Sequence, residues 1–140
     1  MPPRVSLRPV TLADSDLLWR WRNEPETRRW FGDSRAVPLH KHEVWFATRF
    51  VDPAPWWVAL VDGVPAGVVR FDGGDGHYEV SVLVIPEYRK QGIGKAMLEK
   101  ACAGTRSVIH ATILPGNDAS EKLFHRCGFT CKGTVWEREP

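Results

Sequence analysis

Between Val80 and Leu98 the chain reads Val-Ser-Val-Leu-Val-Ile-Pro-Glu-Tyr-Arg-Lys-Gln-Gly-Ile-Gly-Lys-Ala-Met-Leu. An apolar run stops at Pro86, a short basic turn follows, and Gly92 and Gly94 open an amphipathic helix. That succession is a phosphate cradle. Glycine lets the backbone approach an anion, the first N–H groups of a helix lack internal partners, and the helix dipole favours negative charge there. Arg89, Lys90 and Lys95 place cationic side chains around the same point. The pattern implies an enzyme that binds a phosphorylated cofactor, and spacing decides which kind. A P-loop needs Gly-x-x-x-x-Gly-Lys-Ser/Thr, but Gly94-Lys95 is followed by Ala96 and position 89 is arginine. The dinucleotide fingerprint needs a third glycine where Met97 stands. A kinase glycine loop lacks its catalytic-loop and metal motifs here.

The elements that must hold this cradle follow from periodicity and punctuation. Val5 to Leu7 reads as a short strand. Thr11 or Asp14 caps a helix to about Arg22, with Leu17, Leu18 and Trp21 as its apolar stripe, and Asn23-Glu24-Pro25 ends it. Glu26 to Val37 reads as irregular. Pro38 starts a helix to about Phe50, with Val44, Trp45 and Phe50 inward. Trp56–Val61 and Val64–Phe71 are strands joined by Asp62-Gly63, a strong hairpin signal. Tyr78–Ile85 is a longer strand. Gly92 to about Ala103 is a helix, Val108–Leu114 a strand, and Asn117–Arg126 a helix stopped by Gly128. Phe129–Trp136 closes the chain as a strand, with a break at Gly133. The expected fold is a single α/β domain over residues 1–140: a mixed, mostly antiparallel central sheet flanked by about four helices. The cradle then lies beyond the C-terminal end of a central strand, where α/β proteins bind ligands.

Composition narrows the partners. Apolar residues make up 43% and charged residues 26%, ordinary for a globular protein. A net charge of +2 gives no basis for binding nucleic acid or an anionic membrane. Three cysteines without regular spacing form no disulfide framework, and Cys127-x-x-x-Cys131 has no second pair to complete a metal site. No metal is expected. Without a signal peptide or a run of about 18 apolar residues, the expected location is the cytoplasm. A second copy of the chain is left open as a partner.

Arg89-Lys90-Gln91-Gly92-Ile93-Gly94 matches the Arg/Gln-x-x-Gly-x-Gly/Ala signature of the GNAT superfamily of acyl-CoA N-acyltransferases, which this chain resembles. The strand before it, the helix after it and the later string Asn117 to Phe129 look like that superfamily's landmarks in the right order. The resemblance implies a GNAT-like fold, acetyl-CoA as donor and a small-molecule amine as acceptor. It implies that backbone amides from Gln91 to Lys95 (Gln91, Gly92, Ile93, Gly94, Lys95) hold the pyrophosphate, with Arg89, Lys90 and Lys95 nearby. The pantetheine arm would pair with the backbone of Val82, Leu83 and Val84, and Asn117 would contact it from the next helix.

Acetyl transfer to an amine needs a proton acceptor, a polarised thioester carbonyl and a stabilised thiolate. Glu79 is the expected base, because it matches a position where many of these enzymes place a glutamate; an apolar cleft around it would raise its pKa. Ser81, two residues on, shares its face and is expected to hold a water or a substrate group. His77 is a weaker base candidate. A backbone N–H near Leu83 or Val84 would polarise the carbonyl. Many superfamily members carry a tyrosine as general acid where this chain has Phe124. Either the thiolate leaves unassisted or another donor serves, with Ser120, His125 and Cys127 near in sequence.

The acceptor is to be sought in the N-terminal segment. The first fifty residues hold nine Lys+Arg against six Asp+Glu, and four of the seven tryptophans. Aromatic faces beside arginines suit a planar base or a sugar with a phosphate nearby. Trp21-Arg22-Asn23-Glu24-Pro25, then Trp30-Phe31, is similar to the sugar-nucleotide N-acetyltransferases of pseudaminic acid biosynthesis. That likeness implies acceptor contacts from Arg22, Asn23, Trp30 and Phe31 to a nucleotide-linked amino sugar. A related string occurs in acetyltransferases of protein N-termini, the alternative acceptor, and a non-catalytic acyl-CoA-binding module is the third reading.

Overall fold

The computed structural model describes residues 3–29, 35–74 and 76–140. The chain divides into two compact units, Met1–Pro9 with Ala54–Pro140, and Val10–Pro53.

The larger unit is built on a seven-stranded sheet of order β1-β2-β3-β4-β5-β7-β6 among the described residues. The strands are β1 (Val5–Pro9), β2 (Trp56–Val61), β3 (Val64–Gly73), β4 (His77–Val84), β5 (Val108–Thr112), β6 (Thr130–Lys132) and β7 (Val135–Arg138). Every pair is antiparallel except β4 with β5. This is the mixed, mostly antiparallel α/β sheet that the element pattern implies. Asp62 and Gly63 take φ of 49° and 84° between the paired Val61 and Val64, the turn in which both central residues are left-handed. The closing segment is a hairpin and not one strand, because Gly133 at φ 85° reverses the chain between β6 and β7.

Helices α4 (Ile93–Ala103) and α5 (Asp118–Arg126) belong to this unit. Ile93, Met97, Leu98, Ala101 and Cys102 form the buried stripe of α4, against Ala66, Val69, Val80, Ile109 and Ala111 from the strands. Spacings of four, one, three and one residues keep that stripe on one helical face. Phe124 of α5 is 5% exposed and meets Phe129 edge-on, with ring centroids 4.9 Å apart. Gly128 adopts φ 88°, and Phe129 N–H donates back to the Phe124 carbonyl, closing the helix as the glycine predicts.

The smaller unit holds α1 (Ser15–Arg22), the single turn α2 (Pro25–Arg28) and α3 (Leu39–Phe50). A 3-10 turn at Leu12–Asp14 precedes α1, with Thr11 and Asp14 in a reciprocal capping box. The turn α2 falls in the stretch expected to be irregular. Glu24 caps it, accepting from the N–H groups of Glu26 and Thr27, and Pro25 at its first position suits its start. The inward face of α3 also differs from expectation. His42, Phe46 and Arg49 are buried, whereas Val44 is 70% exposed and Trp45 41%. His42 tolerates burial because its Nε2 lies 2.9 Å from the Ser15 carbonyl, and desolvation lowers its pKa, favouring the neutral ring.

Candidate active site

Strand β4 is the pivot. Ile85 N–H donates to the Ala66 carbonyl at 3.0 Å, and Gly74 N–H to the His77 carbonyl at 3.1 Å, at opposite ends of the β3–β4 ladder. With the register unbroken from Gly67↔Val84 to Gly73↔Tyr78, odd-numbered residues of β4 turn their backbone groups toward β3 and even-numbered ones turn away. On the other side β5 pairs only with His77, Tyr78 and Glu79, the last pair being Glu79↔His110. Beyond it no strand pairs with Val82 or Val84 among the described residues. A ligand amide chain has an open edge there. Val84 already gives its carbonyl to Arg89 Nε at 2.8 Å. Val82 therefore presents both groups and Val84 its N–H, while Leu83 faces β3. The expectation of three consecutive residues on this edge becomes one of alternate residues, as strand geometry requires.

The cradle sits at the end of that edge. A 3-10 turn at Pro86–Tyr88 leads to Lys90 at φ 61° and Gly92 at φ 77°, and Ile93 begins α4. No side chain caps α4. Its first helical bond runs from Ala96 N–H to the Gly92 carbonyl, so Ile93, Gly94 and Lys95 point their N–H groups outward. The two glycines do different things. A Cβ at Gly92 meets nothing within 4 Å, so the left-handed backbone is what asks for glycine; at Gly94 a Cβ would lie 3.3 Å from Leu123 Cδ2 and 3.5 Å from Val84 Cγ2, so close approach to α5 and β4 is what asks for it. Lys90 is left-handed without being glycine, a strain of about 1–2 kcal/mol that the sequence did not signal. Of the cationic side chains, Lys95 Nζ is 3.7 Å from Glu99 on the exposed face and Arg89 is turned onto Val84. Gln91 Nε2 donates to the Glu87 carbonyl, so its side chain is turned back along the chain. Asn117 caps α5 with Oδ1 on Ser120 N–H at 3.3 Å, and its amide nitrogen is the end that could serve a ligand.

Tyr78, Val80, Val82 and Val84 face the core and α4, so Glu79 and Ser81 lie on the opposite face with His77 and Leu83. Glu79 is exposed, and its Oε1 accepts from Thr112 Oγ1 at 3.1 Å. Pairing places His110 and Thr112 of β5, then Glu137 of β7, on this face as well. His110 Nε2 is 2.8 Å from Glu137 Oε2, and Lys132 Nζ is 2.8 Å from Glu137 Oε1. Lys132 first, then His110, draws the Glu137 pKa down to about 2. The sequence reading missed His110, Glu137 and Lys132. They are scattered over three strands, and only the register brings them beside Glu79.

The acceptor residues fare differently. Asn23 donates from Nδ2 to the Val37 carbonyl at 2.9 Å and accepts from Val37 N–H at 2.7 Å, and Trp19 Nε1 donates to the same carbonyl at 2.7 Å. Both ends of the Asn23 amide are thus spent on holding the chain ahead of α3. Arg22 is half-buried in the same unit. Trp30 and Phe31 lie outside the described residues.

Phe124 stands in the core and not at the open edge. Phe124→Tyr is expected to cost about 1–3 kcal/mol, the penalty for a buried hydroxyl without a partner, with no gain in turnover. Denaturant unfolding and steady-state rates check this, and a tenfold faster variant would show that leaving-group protonation limits the native protein.

A sheet that splits at the C-terminal half of a central strand, with an uncapped basic helix start at the split, defines an enzyme fold built to hold a phosphorylated carrier of a reactive group. The model of the acetyltransferase (GNAT) family matches residues 15–129, and the chain belongs to that family. A phosphinothricin N-acetyltransferase from Streptomyces viridochromogenes is 27% identical, over 94% of this chain and 77% of that protein. Among solved structures, a domain from Methanocaldococcus jannaschii superposes with a TM-score of 0.83 at 22% identity, covering 96% of both chains. The structure of yncA from Salmonella typhimurium with its cofactor acetyl-CoA gives 0.79 at 22% identity, over 97% of this chain and 94% of that one. No helix among the described residues is long and apolar enough to cross a membrane.

Proposed function

We propose that the chain transfers the acetyl group of acetyl-CoA to the primary amine of a small molecule. The observation that carries this reading is the open edge of β4 beyond Glu79↔His110, which starts at titratable groups and ends at the uncapped start of α4. The outward N–H groups of Ile93, Gly94 and Lys95 suit a pyrophosphate, and Val82 and Val84 suit the amides of a pantetheine arm. Bound there, acetyl-CoA supplies an activated thioester. Glu79 is the carboxylate placed to receive the acceptor's ammonium, and Ser81 lies two residues further along the same face.

Phosphinothricin is the first acceptor to test, because its acetyltransferase aligns with 94% of this chain. A nucleotide-linked amino sugar is the second, on the strength of the Trp21–Pro25 string. Asn23 is committed to Val37 and so supports the chain around such a site in place of contacting the acceptor. The test is thiol release from acetyl-CoA with phosphinothricin, a UDP-linked 4-amino sugar, or a peptide with a free N-terminus. Release with either small amine is the expected result. Release with the peptide alone, or with none of the three, overturns the reading.

A further inference from the structure

We propose that His110 is a second proton-handling residue of this site, taking up the proton that Glu79 draws from the acceptor amine. The proposal rests on the acetyltransferase reading above and adds to it the fate of the proton.

Glu79 and His110 are directly paired across the parallel β4–β5 ladder at its last rung, so their side chains leave the same face of strands about 4.8 Å apart. His110 Nε2 lies 2.8 Å from a Glu137 oxygen whose carboxylate also holds Lys132 at 2.8 Å. A carboxylate kept ionised by a lysine only accepts, so Nε2 must carry the hydrogen and Nδ1 the lone pair. A fixed tautomer with a carboxylate behind it is the arrangement that turns imidazole into a base, because the imidazolium is stabilised as it forms.

The step balances without a further reactant. An ammonium N–H bond breaks and the proton moves to the Glu79 carboxylate, freeing the nitrogen lone pair. The proton then moves from Glu79 through solvent water to Nδ1 of His110 on the adjacent strand. It then leaves Nδ1 to bulk water, which restores the starting tautomer and keeps the Nε2–H on Glu137; the His110 side chain is 32% exposed.

The charged and titratable groups around His110 set its behaviour. On β4 they are Glu79 and His77, whose ring lies 5.1 Å from that of His110, centroid to centroid. Behind Glu79 on β3 is Asp72, bonded to Arg70. Glu137 flanks from β7, Glu139 from the residue just after it, and Lys132 from β6.

The test uses the whole protein with acetyl-CoA and the three amines named above, together with NMR titration of the His110 ring. His110→Gln is expected to lower kcat at least tenfold at neutral pH and remove the imidazole limb of the pH profile, with acetyl-CoA binding unchanged. Glu137 is a positioning residue. Glu137→Gln keeps an acceptor but removes the charge behind the ring, so kcat is expected to fall and the pH profile to differ from that of the native protein, with acetyl-CoA binding unchanged. Wild-type turnover with an unaltered profile in His110→Gln overturns the relay alone, as does an Nδ1–H tautomer in the native protein. Failure of the wild type to acetylate any of the three amines overturns the acetyltransferase reading, and the relay with it. Should His110→Gln not fold, the Glu137→Gln profile and the native tautomer decide.

Discussion

Glu79→Gln is expected to lower kcat about a hundredfold at neutral pH, the usual contribution of a positioned general base, while the KM for acetyl-CoA barely changes. Glutamine keeps the shape and the oxygen that Thr112 Oγ1 bonds, and loses only the ability to take a proton. Nothing about the cradle or the open β4 edge depends on that charge, since the contacts proposed there are made by backbone groups of Val82, Val84 and the start of α4. The effect therefore belongs in kcat and not in cofactor binding, the signature of an interaction made in the reacting state. Steady-state kinetics with calorimetric acetyl-CoA binding separates the two. Unchanged turnover would remove Glu79 from the chemistry. The double variant with His110→Gln sharpens the result: two groups passing one proton along one path should together cost little more than the worse single change.

The split in reach between sequence and structure has a physical cause. The cradle was readable because it is local. A strand, a basic turn, two glycines and a helix lie within nineteen residues, and each contribution depends on neighbours along the chain. The Asp62-Gly63 turn and the Gly128 helix stop were readable for the same reason. His110, Glu137 and Lys132 are adjacent only through strand pairing, where a shift of one residue would send each side chain to the other face. No local pattern encodes that register. The face of α3 misled for a different reason. Hydrophobicity favours Val44 and Trp45, but the buried stripe at 42, 46 and 49 includes a hydrogen-bonded histidine and an arginine. Asn23 looked like a ligand contact because a polar residue beside aromatics is ambiguous until its partners are known. Its partner is the backbone of Val37, fourteen residues on.

Gly67→Ala is expected to destabilise the protein by about 3 kcal/mol, at the upper end of the cost of overpacking a core, and to weaken acetyl-CoA binding with it. Gly67 sits in β3 opposite Val84. A Cβ there would overlap the Leu83 carbonyl oxygen and lie 2.9 Å from Met97 Cε and 3.2 Å from Met97 Sδ. The methionine end can swing aside, but Met97 is fully buried in a close-packed interior. The carbonyl has no such freedom, because it belongs to the ladder that holds β4 in register. Relief must come from β4 moving away from β3, and that displaces the edge formed by Val82 and Val84. A single methyl thus couples fold stability to the cofactor site through one strand. Gly104→Ala is the control. It lies at the end of α4 with φ −91° and nothing within 4 Å of a new Cβ, so its unfolding midpoint should stay within about 0.5 kcal/mol of the native value. Urea unfolding of the two variants side by side measures the difference. Equal midpoints would mean that β3 and β4 relax apart without penalty, and the backbone at Val82 could not then be a rigid template for the pantetheine amides.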